Sequence, residues 1–232
     1  MSASTARVAL ILGAGANVGQ STARAFAAKG YQVATVARKA REEEDNAAQL
    51  SIQGDFAQPE SIPDIFTKVK AKFGAPPSVV VYNAGAAFFS PKDDLMHVPL
   101  EDYNRNMAVN TTSVLVAAQQ AVKGFAELHP SASRTFIFTG NVLNQQILPQ
   151  FLDSGMGKTA SAFLMKYAAH TQKEHGYKFY YADERTEEGK PVYKAISGEA
   201  HGQHYVHLSE MAEQGPWLQT FVKGQGYKKF DQ

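Results

Sequence analysis

Val8-Ala9-Leu10-Ile11-Leu12-Gly13-Ala14-Gly15-Ala16-Asn17-Val18-Gly19 is the stretch on which the reading of this chain turns. Five apolar residues read as a buried strand that ends at Gly13. A loop holding Gly13, Gly15 and Gly19 follows, and then a helical run, Asn17–Lys29. Glycine lets the backbone turn tightly and approach a ligand closely. The start of the following helix offers free N–H groups and a partial positive charge to a phosphate. Strand, glycine loop and helix in that order form the first half of a dinucleotide-binding βαβ unit.

Outward from there, strand and helix patterns alternate. Gln32–Ala37, Leu50–Gln53, Ser78–Tyr82, Arg134–Thr139 and Tyr177–Ala182 read as strands. Helices are expected at Glu42–Ala48, Pro59–Lys72 and Met156–Glu174, and as a short then a long helix within Glu101–Leu128. Strands apolar on both faces imply a parallel sheet covered on each side. The expected fold is therefore α/β, a Rossmann-type doubly wound parallel sheet forming a single domain over residues 1–232. Its nucleotide-binding core is 5–182. Residues 183–232 are polar and weakly periodic, so they are expected to be a substrate loop or lid with one helix near Tyr205–Gln214.

Composition narrows the class. A charged fraction of 19% and a net charge of +1 give no reason to expect nucleic acid or an anionic membrane as partner. With no cysteine, disulfides, thiolate metal sites and cysteine nucleophiles are excluded. No apolar stretch approaches the length of a membrane span, and the N-terminus lacks a secretion signal, which points to the cytoplasm.

After the second strand stand Arg38 and Lys39, where an NAD-selective fold commonly places an acid for the ribose diol. A guanidinium there suits a 2′-phosphate, so NADP(H) is the expected cofactor. With these residues the chain resembles the short-chain dehydrogenase/reductase family over residues 5–182. The family's usual motif is Thr-Gly-x-x-x-Gly-x-Gly. Here Gly13 and Gly19 match, Asn17 replaces the middle glycine, and Gly15 and Val18 complete the loop. Asn17 is expected to cap the helix. The resemblance also implies an adenine-side aspartate at Asp55, the Asn83-Ala84-Gly85 triplet after the fourth strand, and the helix asparagine at Asn110.

The resemblance breaks at the reaction centre. Family members carry a Tyr-x-x-x-Lys pair in which tyrosine transfers the proton. Lys158 matches the lysine, yet Ser154 stands four residues before it, and none of the ten tyrosines has a lysine four residues later. Where the family has a carbonyl-polarising serine, the chain reads Thr139-Gly140-Asn141. A serine hydroxyl is too weak an acid to replace a phenol at neutral pH. Three readings follow: a reductase of a small-molecule carbonyl or enone whose proton comes from elsewhere, either a water in the space left at Ser154 or a side chain outside the motif, with Tyr180 and Tyr181 as topological candidates; an inactive NADP(H)-binding sensor or partner; or a repurposed non-redox enzyme using Asp153, Ser154 and Lys158. For the reductase, Lys158, Asn110, Ser154, Asn141 and Thr139 are the catalytic candidates, and Lys158 also binds cofactor.

His201, His204 and His207 recur every third residue but are expected to be solvated, as is Asp183–Glu188. Ala160, Ala162, Phe163, Met165, Tyr167 and Ala168 make the helix after Lys158 apolar nearly all round, which suggests a homodimer or homotetramer.

Overall fold

The computed structural model describes residues 7–39 and 48–230. The expected helix at Glu42–Ala48 lies outside them apart from Ala48. In chain order the elements are β1 Val8–Leu12, α1 Val18–Ala28, β2 Gln32–Ala37, β3 Gln49–Gln53, α2 Ile62–Phe73, β4 Val79–Tyr82, α3 Leu100–Met107, α4 Ser113–Phe125, β5 Thr135–Thr139, α5 Leu152–Thr171, β6 Lys178–Arg185, α6 Gly198–Glu210, β7 Leu218–Val222 and β8 Gly226–Tyr227. A π-helical turn, Ala108–Thr112, joins α3 to α4.

The strands form one sheet in the order β3-β2-β1-β4-β5-β6-β7-β8, parallel except for the β7–β8 pair. Period-two alternation divides the apolar strands between two cores. Leu10, Val80, Phe136 and Phe179 point to one face, and Ile11, Val81, Ile137 and Tyr180 to the other. The chain runs out to the β3 edge and re-enters beside β1 as β4. The carboxyl ends of β1 and β4 thus form the switch point at which ligands of such sheets bind.

The C-terminal fifty residues differ from expectation. They hold α6, β7 and β8 and complete the sheet, and only 186–197 forms a long connection. The expected helix starts earlier, at Gly198, and ends at Glu210. Its periodicity is faint because it is buried on several sides. Gly198 and Gly202 let it lie directly on Asn17, Ser21 and Ala25 of the α1 region. His201 and His204 are buried rather than solvated, the latter stacked on Phe221 with ring centroids 4.3 Å apart. Burial lowers the His204 pKa to about 4. No group of three or more possible metal ligands gathers among the described residues.

β6 also runs past its expected end, so Asp183, Glu184 and Arg185 are buried strand residues, not a solvated loop. Arg185 Nε donates to Asp183 Oδ2 at 2.6 Å, and that pairing permits the burial. Gly140 is glycine because the Tyr181 ring occupies the space where its side chain would stand. Gly140→Ala is therefore expected to destabilise the fold by about 1–3 kcal/mol, the usual range for overpacking, read as a lower midpoint in thermal unfolding. An unchanged midpoint would show that the Tyr181 ring moves freely.

Candidate active site

The glycine loop is built by backbone. Gly13 has φ +101°, open to glycine, and its Cα faces the backbone of Asn83 and Ala84 with no room for a side chain. Gly13 and Ala14 N–H both donate to Val36 O, and Asn83 Nδ2 donates to Gly13 O at 2.8 Å. A Cβ on Gly19 would lie 2.5 Å from Gly13 O, so α1 also starts against the loop. Gly15, by contrast, faces open space, and Gly85 is exposed. No side chain caps the first turn of α1, and no acidic residue stands in it. The helix start is uncapped, Gly15 is open, and Arg38 and Lys39 are exposed just after β2. These groups fit a phosphate-bearing dinucleotide.

Asn17 corrects one expectation. Its side chain does not cap α1; Nδ2 donates to Ile196 O at 2.9 Å and Oδ1 accepts from Gly198 N–H at 3.0 Å. Val18 is buried beneath the loop. Asp55 is exposed and uses Oδ1 to accept the Ala57 N–H, an Asx turn after β3.

Asn110 lies in the π-helical turn, fully buried. Its amide grips Ala86 from both sides, donating to the carbonyl at 2.7 Å and accepting the N–H at 3.1 Å. It therefore fixes the loop that follows Asn83-Ala84-Gly85. Tyr82, which precedes that triplet, donates to Val109 O at 2.6 Å and so satisfies a carbonyl of the same turn. Gly157 lets α5 reach this turn, since a Cβ there would lie 2.5 Å from the Asn110 Cβ.

Asp153 is a residue the sequence reading placed only in the non-redox scheme. It is buried and accepts from Phe88 N–H, Asn106 Nδ2 and Ser154 N–H at 3.0, 2.6 and 2.7 Å. With those donors on it, Asp153 holds the 86–90 loop against α5. Asp153→Ala leaves two to three buried donors unpaired, at about 1–3 kcal/mol each. The expected result is a several-degree loss in melting temperature; a change within error would remove Asp153 from this role.

Lys158 and Ser154 lie one turn apart on α5, both buried. Lys158 Nζ donates to Thr139 O at 2.9 Å and sits 4.4 Å from the Phe138 ring centroid. Burial lowers its pKa to about 8, and the Asp183 carboxylate works against that shift. Ser154 Oγ has no hydrogen-bond partner among the described residues. Thr139 takes part through its carbonyl, because its hydroxyl is turned to the other side of the sheet and accepts from Tyr205 OH at 2.8 Å. Asn141 uses Oδ1 to cap a short 3-10 turn, accepting from Leu143 N–H at 3.0 Å, and its Nδ2 is left as a donor.

Both tyrosines suggested by topology have their hydroxyls engaged elsewhere. Tyr180 projects to the α1–α6 side, where it receives the Gly215 N–H. Tyr181 is fully buried and donates to Asn141 O at 2.8 Å, and burial pushes its hydroxyl pKa far up.

This arrangement can be set beside known proteins. The family model described as short chain dehydrogenase matches residues 7–178. The chain is a short-chain dehydrogenase/reductase. It is 45% identical over 234 residues to the short chain dehydrogenase/reductase dmxR12 of Cryptosporiopsis sp. (strain 8999), covering 96% of this chain and 94% of that one. Similarity to the D-threitol dehydrogenase of Mycolicibacterium smegmatis is 30% over 129 residues, 52% of this chain and 48% of that protein. Among solved structures, a metagenomic short-chain oxidoreductase in complex with NADP superposes with a TM-score of 0.78 at 19% identity, covering 94% and 99% of the two chains. A short-chain type dehydrogenase/reductase from Mycobacterium marinum gives 0.73 at 22% identity, covering 93% of each. The doubly wound fold and membership of this oxidoreductase family therefore hold, and no helix among the described residues is long and apolar enough to cross a membrane.

Proposed function

We propose that this short-chain dehydrogenase/reductase is an NADP(H)-dependent reductase of a carbonyl or enone on a small molecule. The observation that carries the cofactor choice is the end of β2, where Arg38 and Lys39 stand exposed. A structural relative solved with NADP supports the same reading. Gly13, Gly15, Val18 and Gly19 would hold the pyrophosphate, Arg38 and Lys39 the 2′-phosphate, Asp55 the adenine side, and Asn83, Ala84, Gly85 and Lys158 the nicotinamide half. When bound, the cofactor supplies a hydride to the carbonyl carbon.

The carbonyl oxygen must then receive a proton. Lys158 is the titratable group on the α5 face where the family places its acid, and a pKa near 8 lies in the useful range for general acid catalysis. Asn141 Nδ2 and Ser154 Oγ are the hydrogen-bond donors left to orient the carbonyl. Reduction consumes protonated Lys158, so its rate falls as pH rises through about 8. Lys158→Met is expected to lower kcat about 10²–10⁴-fold and to abolish that alkaline limb in stopped-flow assays against a panel of ketones and enones. Full activity in this variant would exclude Lys158 as the acid, whereas a wild type that binds NADPH but reduces nothing would favour the sensor reading.

Calorimetry tests the cofactor. NADPH is expected to bind more tightly than NADH, and Arg38→Ala to weaken NADPH about tenfold or more while leaving NADH unchanged. Equal affinities, untouched by the substitution, would sink the NADP(H) preference.

We also infer a homo-oligomer formed through α4 and α5. Leu115 on α4, and Met156, Phe163 and Tyr167 on α5, are exposed; Phe163 is 68% accessible. Such a face is expected to be covered by a second copy. Phe163→Asp should shift the mass seen in light scattering to that of a monomer, and a monomeric wild type would end this reading.

A further inference from the structure

The departure of the glycine motif at Asn17 has a structural counterpart 180 residues later. Its amide makes two hydrogen bonds across the chain, Nδ2 to Ile196 O and Oδ1 from Gly198 N–H. Gly198 is kept small by the same contact: a Cβ there would stand 2.5 Å from Asn17 Oδ1 and 2.7 Å from Ser21 Oγ. A side chain at 17 and its absence at 198 thus form one joint between the glycine loop and the start of α6.

The segment this joint secures, 186–197, leaves the carboxyl end of β6, where ligands of doubly wound sheets bind. It is fastened at its other side by the β6 end. Arg185 bridges to Pro191 and donates to Gly189 O at 2.9 Å, and Glu184 Oε2 accepts the Ser197 N–H at 2.8 Å. Between these ties Tyr193 is held at φ +47°, a conformation that persists only where the surroundings impose it. Tyr193 and Ile196 present 62% and 43% of their surface to solvent. An apolar surface and an imposed backbone beside the cofactor loop are what a substrate-facing wall requires.

We propose that Asn17 is a positioning residue that ties residues 192–198 to the cofactor's glycine loop, so that binding of the cofactor orders the adjoining wall of the substrate cleft. The proposal rests on the NADP(H) reading above. It explains why the middle glycine of the motif is absent: glycine at 17 has no group with which to hold Ile196 and Gly198.

Backbone hydrogen–deuterium exchange on the full-length protein, with and without NADPH, tests it. In the wild type NADPH slows exchange in 13–19 and in 192–198 together. In Asn17→Gly, which restores the family motif, exchange in 192–198 without cofactor rises about tenfold or more, as expected for two lost hydrogen bonds. NADPH then protects 13–19 alone. Gly198→Ala breaks the joint from the other side and gives the same uncoupling. Asn17→Asp keeps the acceptor for Gly198 and loses the donor to Ile196, so its cofactor-free exchange falls between the two. Wild-type protection confined to 13–19, or an Asn17→Gly protein that exchanges and responds like the wild type, overturns the role of Asn17 and leaves the cofactor reading standing. No protection of 13–19 in the wild type overturns the cofactor reading and the coupling with it.

Discussion

The site depends on two loops meeting backbone to backbone at the switch point of the sheet. Gly13 after β1 and Ala84 after β4 approach so closely that a side chain on the glycine has no room, and Asn83 bridges to the Gly13 carbonyl. Once that contact is made, the α1 N-terminus is directed at the cleft. The loop beginning at Asn83 is directed there as well, fixed from beneath by Asn110 and from α5 by Asp153. These are buried polar clamps on backbone groups, and in a low-dielectric interior each is costly to leave unmade.

At the proposed reaction centre Ser154 and Lys158 stand one turn apart on α5, both buried. Lys158 remains buried between Thr139 O and the Phe138 ring, near the Asp183–Arg185 pair. Binding and proton transfer are separable functions of such a site. The proposed reading keeps the cofactor cradle and gives the acid chemistry to Lys158.

Much of this was legible in the residues. The first six strands were visible as short apolar runs, and the helix expected at Pro59–Lys72 matches α2 to within a few residues. That Ser154, and no tyrosine, stands four residues before Lys158 was visible by simple spacing. The features that escaped were those in which polar residues are buried. Asp183, Glu184 and Arg185 look like a charged loop, and His201 and His204 look like a surface. Asp153 looks like an ordinary first-turn acid. Asp153 is held by Phe88 and Asn106, Glu184 by Ser197, and His204 is stacked on Phe221, partners that no local pattern announces, while Asp183 and Arg185 are buried as a pair of their own.

The sequence by itself determined the doubly wound sheet, the glycine loop and the cationic end of β2, because hydrophobic period, turn chemistry and charge are local properties. Only the tertiary structure decided what Asn17 holds, which faces of Tyr180 and Tyr181 are turned inward, and that the last fifty residues complete the sheet. The physical reason is that hydrogen bonds and steric limits between residues such as Asn17 and Gly198 exist only once folding has brought the two ends of the chain together.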